Sequence, residues 1–156
     1  MDGLHRITTT VNGRTRELII DPRRTLADVL RIDAGLTGTR LGCEHGICGA
    51  CTVLLDGDPV RSCLMFGVQA DGATVETVEG LEADAAGARV QAEFVRHRAY
   101  QCGFCTSGFL MLATWLARRD PPPDEAQLRD VLASNLCRCT GYAPILAATR
   151  AACEER

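Results

Sequence analysis

The sequence predicts an α+β chain in two parts, a small mixed sheet packed on one helix and then an all-α part. Up to about residue 80, apolar residues alternate in short runs between turn signals, the period of half-buried strands. Beyond Gly80 they recur at three- and four-residue spacing, the period of helices packed by one face. The cysteines fall into two groups, one in each part.

Ile7, Thr9 and Val11 alternate with Thr8 and Thr10, which marks a first strand. Asn12-Gly13 reads as a tight hairpin turn, Arg14 to Ile20 as the return strand, and Asp21-Pro22 as its end. Thr25 with Asp28 three residues on forms a capping-box pattern, opening a short helix that buries Leu26, Val29 and Leu30. After a cysteine-bearing loop, Thr52 to Leu55, an Asp56-Gly57 turn and a short return segment make a second hairpin that ends at Cys63. A β-branched run from Thr74 to Val78 is the last expected strand. The first domain is expected over residues 3–80, with the acidic, alanine-rich stretch 81–87 as linker and a helical domain over 88–156.

Val90, Phe94 and Val95 form the apolar stripe of the first long helix, with His97 and Tyr100 after it. Phe109, Leu110, Leu112, Ala113, Trp115 and Leu116 cover most of the second, so deep burial is expected there. Asp120-Pro121-Pro122-Pro123 stops it, and Asp124 caps a third helix with Leu128, Val131 and Leu132 on one face. Pro144 sits near the start of a fourth, where its missing N–H is harmless. Ile145, Ala148, Thr149, Ala152 and Cys153 share a face of that helix, and Cys153 reads as a small buried side chain.

Of the 156 residues 46% are apolar but only 4% aromatic, so the core must be aliphatic. A net charge of −3 without a basic block argues against nucleic acid as a partner. No apolar run reaches the length of a membrane span. Met1 to Arg6 lacks the basic-then-apolar build of a secretory leader, so the cytoplasm is the expected compartment. In a reducing compartment nine cysteines point to metal ligands rather than disulfides.

Leu41 to Cys51 carries Cys43, Cys48 and Cys51 in the spacing C-x4-C-x2-C, with Gly42, Gly46 and Gly49 threaded between. That is the spacing of a plant-type [2Fe–2S] loop, whose fourth thiolate arrives from further along, and Cys63 is the obvious candidate. A structural zinc site prefers C-x2-4-C pairs and needs little glycine. His45 lies in the loop, but a Rieske centre needs two histidines, and neither His5 nor His97 has a matching spacing. A second quartet is split into Cys102-Gly103-Phe104-Cys105, before the second long helix, and Cys137-Arg138-Cys139, before the fourth. If those helices run parallel, four thiolates converge at one end. Spacing alone leaves zinc and iron–sulfur about equally open, with C-x-C tilting slightly from zinc.

Three stretches carry a resemblance that decides between them: Gly42 to Cys51, Gln101-Cys102-Gly103-Phe104-Cys105-Thr106, and Asn135-Leu136-Cys137-Arg138-Cys139-Thr140-Gly141-Tyr142. Together they resemble the iron–sulfur subunit of the molybdenum hydroxylases, the family of xanthine dehydrogenase, aldehyde oxidoreductase and CO dehydrogenase. The resemblance implies a plant-type ferredoxin-like β-grasp domain followed by an all-α four-helix bundle, each with one [2Fe–2S] cluster. Cys43, Cys48, Cys51 and Cys63 would hold one cluster, and Cys102, Cys105, Cys137 and Cys139 the other. It further implies electron transfer between a molybdopterin site on a large subunit and FAD on a medium subunit, with no substrate-converting residue on this chain. Gln101 and Cys139 would lie against the pterin. Many relatives have proline where this chain has Ser107; serine also suits a helix start, so ligation is expected unchanged.

Two other classes remain to be weighed. A free-standing electron carrier is the alternative, but a single-cluster ferredoxin has no use for four further cysteines, and a charge of −3 is mild for electrostatic steering. A zinc-stabilised binding module is disfavoured by the glycine-rich first loop. Arg138, between two candidate ligands, is weighed as a charge that raises a cluster potential against a solvated side chain.

Overall fold

The computed structural model describes residues 3–154. Met1, Asp2, Glu155 and Arg156 lie outside the described residues, and with them the start of the segment weighed as a leader and the end of the 88–156 range.

Strands β1 (His5–Val11) and β2 (Arg14–Ile20) pair antiparallel with Val11 opposite Arg14. The turn between them, Asn12 and Gly13, has φ of 51° and 74°, the backbone that a two-residue type I′ hairpin requires. Strands β3 (Thr52–Leu55) and β4 (Asp58–Arg61) form the second hairpin, and β5 (Thr74–Glu76) runs parallel to β1 and antiparallel to β3. The sheet order is β2-β1-β5-β3-β4. β5 stops two residues short of the expected run. Asn12 Oδ1 accepts the Thr77 N–H at 2.8 Å and Asn12 Nδ2 donates to Thr77 Oγ1 at 2.9 Å, which takes Thr77 out of the ladder.

The capping box forms as expected. Thr25 Oγ1 accepts the Asp28 N–H at 3.1 Å and the Asp28 carboxylate accepts the Thr25 N–H at 3.3 Å. Helix α1 (Leu26–Asp28) then widens into a π turn, Val29–Asp33. It buries Leu26, Ala27, Val29 and Leu30, and Leu26 and Leu30 pack with Val11, Val53 and Val75 of the sheet.

Residues 81–87 are folded rather than an open connection. Val78–Ala83 is a 3-10 turn that buries Leu81 in the helical core, and Asp84 caps α2 (Ala85–Arg96) by accepting the Gly87 N–H at 2.7 Å. One apolar residue inside an acidic, alanine-rich stretch gives no periodicity to read. On α2, Val90 and Phe94 face the core but Val95 is 61% exposed, so the stripe is narrower than expected.

Helices α3 (Thr106–Ala117), α4 (Glu125–Ala133) and α5 (Ala143–Glu154) complete this part. Nearly the whole surface of α3 is buried, with Trp115 half-buried. Asp124 and Gln127 cap α4 reciprocally at 2.8 and 2.9 Å, and Pro144 lies in the first turn of α5. Phe94, Phe109, Met111, Leu116, Leu128 and Ile145 fill the core, and Cys153 is buried at its edge. Leu54 of β3 belongs to this same core, so β3 is covered by α1 on one face and by the helices on the other. Among the described residues no helix is long and apolar enough to cross a membrane.

Candidate metal centres

The two cysteine quartets occupy the loops where the halves of the molecule meet. In the first, the chain turns back on itself so that Cys43 Sγ accepts the N–H of Cys48 at 3.3 Å and of His45 at 3.4 Å. Those amides, with Cys48 first, hold the Cys43 thiol down at about 6. Cys51 and Cys63 flank β3 and β4, and the pairing of Thr52 with Arg61 brings them side by side. Both are buried, beside Ala27 of α1. Burial, and then the hydrogen bond with Cys51, push the Cys63 thiol up to about 11. His45 is exposed, and its Nδ1 contacts the carbonyl of Cys43 in its own loop.

In the second quartet, Cys102 and Cys139 Sγ atoms lie 3.5 Å apart at the exposed rim. Gln101 Nε2 donates to the Cys139 carbonyl at 3.1 Å, tying the two turns together. The starts of α3 and α5 therefore lie at one end of the helical part. Cys105 forms the N-terminal boundary of α3 and hydrogen-bonds Cys137; burial, and then that contact, push its thiol up to about 12. At Cys137 burial pulls upward, but the Thr140 hydroxyl (3.1 Å) and N–H (3.4 Å) outweigh it and lower the thiol. The Cys137 N–H donates to Tyr142 Oη at 3.0 Å, and the Tyr142 ring stands edge-on against Phe109, 6.2 Å away. Arg138 is exposed.

Each quartet approaches in twos: Cys43 with Cys48, Cys51 with Cys63, Cys102 with Cys139, Cys105 with Cys137. Among the described residues no three His, Cys, Asp or Glu side chains gather on one point. Two thiolates for each of two irons is the ligand demand of a [2Fe–2S] cluster, and the backbone N–H groups aimed at Cys43 and Cys137 are the hydrogen bonds that such thiolates accept. The donor set fits the group.

The two sites share a wall. Leu136, beside Cys137, donates its N–H to the Cys48 carbonyl at 2.9 Å. Ser107, in the first turn of α3, reaches the Ala50 carbonyl at 3.4 Å; the boundary position is taken by Cys105, so Ser107 bridges rather than caps. The fully buried side chain of Asn135 lies between Gly49 and Gly108. Gly49 has φ +74°, and a Cβ there would sit 1.7 Å from Asn135 Oδ1. A Cβ on Gly108 would sit 2.2 Å from the Gly49 carbonyl oxygen. Arg61 adds a clasp, donating to the Ser134 carbonyl at 2.7 Å. Sequence reasoning named neither Asn135, Gly108, Tyr142 nor Thr140 as site residues; their position within three residues of a cysteine is the one local signal.

Residues 9–79 match the 2Fe-2S iron-sulfur cluster binding domain family and residues 77–150 the [2Fe-2S] binding domain family. The chain is 54% identical to the nicotine 6-hydroxylase small subunit of Paenarthrobacter nicotinovorans, covering 91% of this chain and 86% of that one. Quinoline 2-oxidoreductase from Pseudomonas putida 86 has a chain of the same fold, with a TM-score of 0.88 and 48% identity over 98% of this chain and 96% of that one. The aldehyde oxidoreductase from Desulfovibrio desulfuricans aligns with a TM-score of 0.87 and 40% identity, over 96% of this chain and 17% of its own. Fold, thiol pairs and domain matches define an electron-transfer protein with two [2Fe–2S] clusters. The chain belongs to the small iron–sulfur subunits of the molybdenum hydroxylases, the xanthine dehydrogenase family, and is thus a subunit of an oxidoreductase.

Proposed function

We propose that this chain carries electrons between a molybdopterin site on a large partner subunit and FAD on a medium one. The observation that supports it best is the approach of thiols in pairs at two adjoining loops, each in a segment matched to a [2Fe–2S] family. The bound clusters supply one-electron chemistry. Cys43, Cys48, Cys51 and Cys63 hold one within a β-grasp ferredoxin-like domain, residues 3–80. Cys102, Cys105, Cys137 and Cys139 hold the other within a four-helix bundle, residues 88–156. Gln101 fixes the Cys139 turn at the exposed rim, which suits both for meeting the pterin. Eight thiols that must stay reduced to receive iron suit the cytoplasm. Nicotine and quinoline are nitrogen heterocycles, and enzymes named for them contain the two more similar of the chains compared above, so we read the complex's substrate as an N-heteroaromatic ring.

The experiment is gentle purification of the tagged chain from its native host, with iron, molybdenum and flavin quantified in whatever accompanies it. Roughly four irons per chain with molybdenum and FAD is the expected result. Iron alone, with no partner, would overturn the subunit reading in favour of a free two-cluster carrier. Turnover of aldehydes but not of quinoline or nicotine would remove the substrate reading and leave the electron route standing.

A further inference from the structure

Phe104 sits on the turn between Cys102 and Cys105, yet its ring lies against the other quartet. A Cβ placed on Gly42 would be 3.2 Å from Phe104 Cε1 and 3.2 Å from Cys48 Sγ. Ring edge and sulfur therefore border the same small space, the one that a side chain at 42 would enter. Phe104 is 48% exposed, so its ring is only partly covered. Cys48 is half-buried, as is Cys43, while the intervening Glu44, His45 and Ile47 are exposed. The Leu136 amide on the Cys48 carbonyl holds the helical part against this stretch of the loop.

We propose that Phe104 is a positioning residue for the cluster site of the opposite domain, a wall that keeps water from Cys48 and lowers the potential of the cluster held there. A [2Fe–2S] site gains negative charge on reduction, and an apolar wall disfavours the more charged state, so solvent exposure is one of the levers on its potential. Gly42 is part of the device, because a Cβ there would be tight against both the ring and the sulfur, and one of them would have to give by a few tenths of an ångström. The helical domain thereby tunes the ferredoxin-like one through a residue that coordinates nothing. This rests on the ligand assignment proposed above.

The test is a redox titration of the assembled complex, followed by electron paramagnetic resonance, on Phe104→Tyr, Phe104→Leu and Phe104→Ala. Tyrosine keeps the wall and should leave both midpoints in place. Leucine and then alanine should raise the midpoint of the cluster at Cys43, Cys48, Cys51 and Cys63, alanine by about tenfold in the reduction equilibrium, which is about 59 mV for one electron. Should the alanine variant lose iron, the tyrosine–leucine pair carries the comparison. A shift confined to the helical-domain cluster, or none in either, overturns the proposal. Absence of the first cluster from the wild-type complex would instead defeat the ligand assignment, so the two failures are distinct.

Discussion

Gly108→Ala is a clean probe of the wall between the sites, because the position is helical and the added methyl meets no backbone strain of its own. That methyl would stand 2.2 Å from the Gly49 carbonyl oxygen, where real Cβ atoms come no closer than 3.0 Å. The obstacle is backbone, so no rotamer relieves it, and the junction must open by roughly 1 Å. An opening of that size removes the 2.9 Å bond from Leu136 to Cys48 and the 3.4 Å bond from Ser107 to Ala50. Overpacking of this kind costs about 1–3 kcal/mol and the Leu136 bond about 1 kcal/mol, with the long 3.4 Å Ser107 bond adding little, so a loss of about 3 kcal/mol is expected. For a chain of this size that lowers the unfolding midpoint by about 6–12 °C. Thermal melts and iron content would be compared with Gly57→Ala, a left-handed position (φ +90°) whose Cβ meets open space and which costs about 1–2 kcal/mol. If Gly108→Ala keeps full iron and melts no lower than Gly57→Ala, the close-packed junction is wrong.

Cys102→Ser and Cys139→Ser touch the exposed pair, so each should remove the helical-part cluster signal and roughly two irons while the first cluster's spectrum stays intact. Loss of neither signal would mean that these are not ligands, and loss of both that the sites do not ligate independently. Arg118 grips Glu76 of β5 through two bonds, 2.6 and 3.1 Å, and reaches Asp84 at 3.3 Å. Because these groups are about a third exposed, Arg118→Ala should cost only about 1 kcal/mol, read as a melting shift of a few degrees that shrinks in high salt. An unchanged midpoint at low salt would show that the ion pair does not join the sheet to the helices.

What could be read from the sequence is what local chemistry dictates. Asn12-Gly13 makes its turn because both residues tolerate positive φ, Thr25 with Asp28 forms a capping box through atoms three residues apart, and Asp124 caps its helix, to which the structure adds the return bond from Gln127. The C-x4-C-x2-C spacing pointed to iron–sulfur in the same way, whereas the second quartet was decided by the resemblance of three motifs and not by its spacing. What could not be read depends on partners distant in the chain. β5 ends where Asn12 captures Thr77, 65 residues away, and Leu81 is a core residue only because α2 and α3 close over it. Val95 lies on the solvent side of its helix for the same reason, since periodicity gives a stripe but not its width. The slot that takes Asn135 is made by two glycines from different elements, and no window of sequence contains all three residues.

Leu54 is a strand residue that packs in the helical core, and that bears on whether the two parts can be separated. The two family matches overlap only at residues 77–79, which invites the picture of two exchangeable modules. A fragment cut there would leave β3 with one face bare and the helices without Leu54, and it would take Cys48 away from the amide that fixes its carbonyl. Neither piece would be a smaller version of the whole. In the longer aldehyde oxidoreductase chain, 96% of this unit aligns within 17% of the length, so the two halves are matched there together and not one at a time.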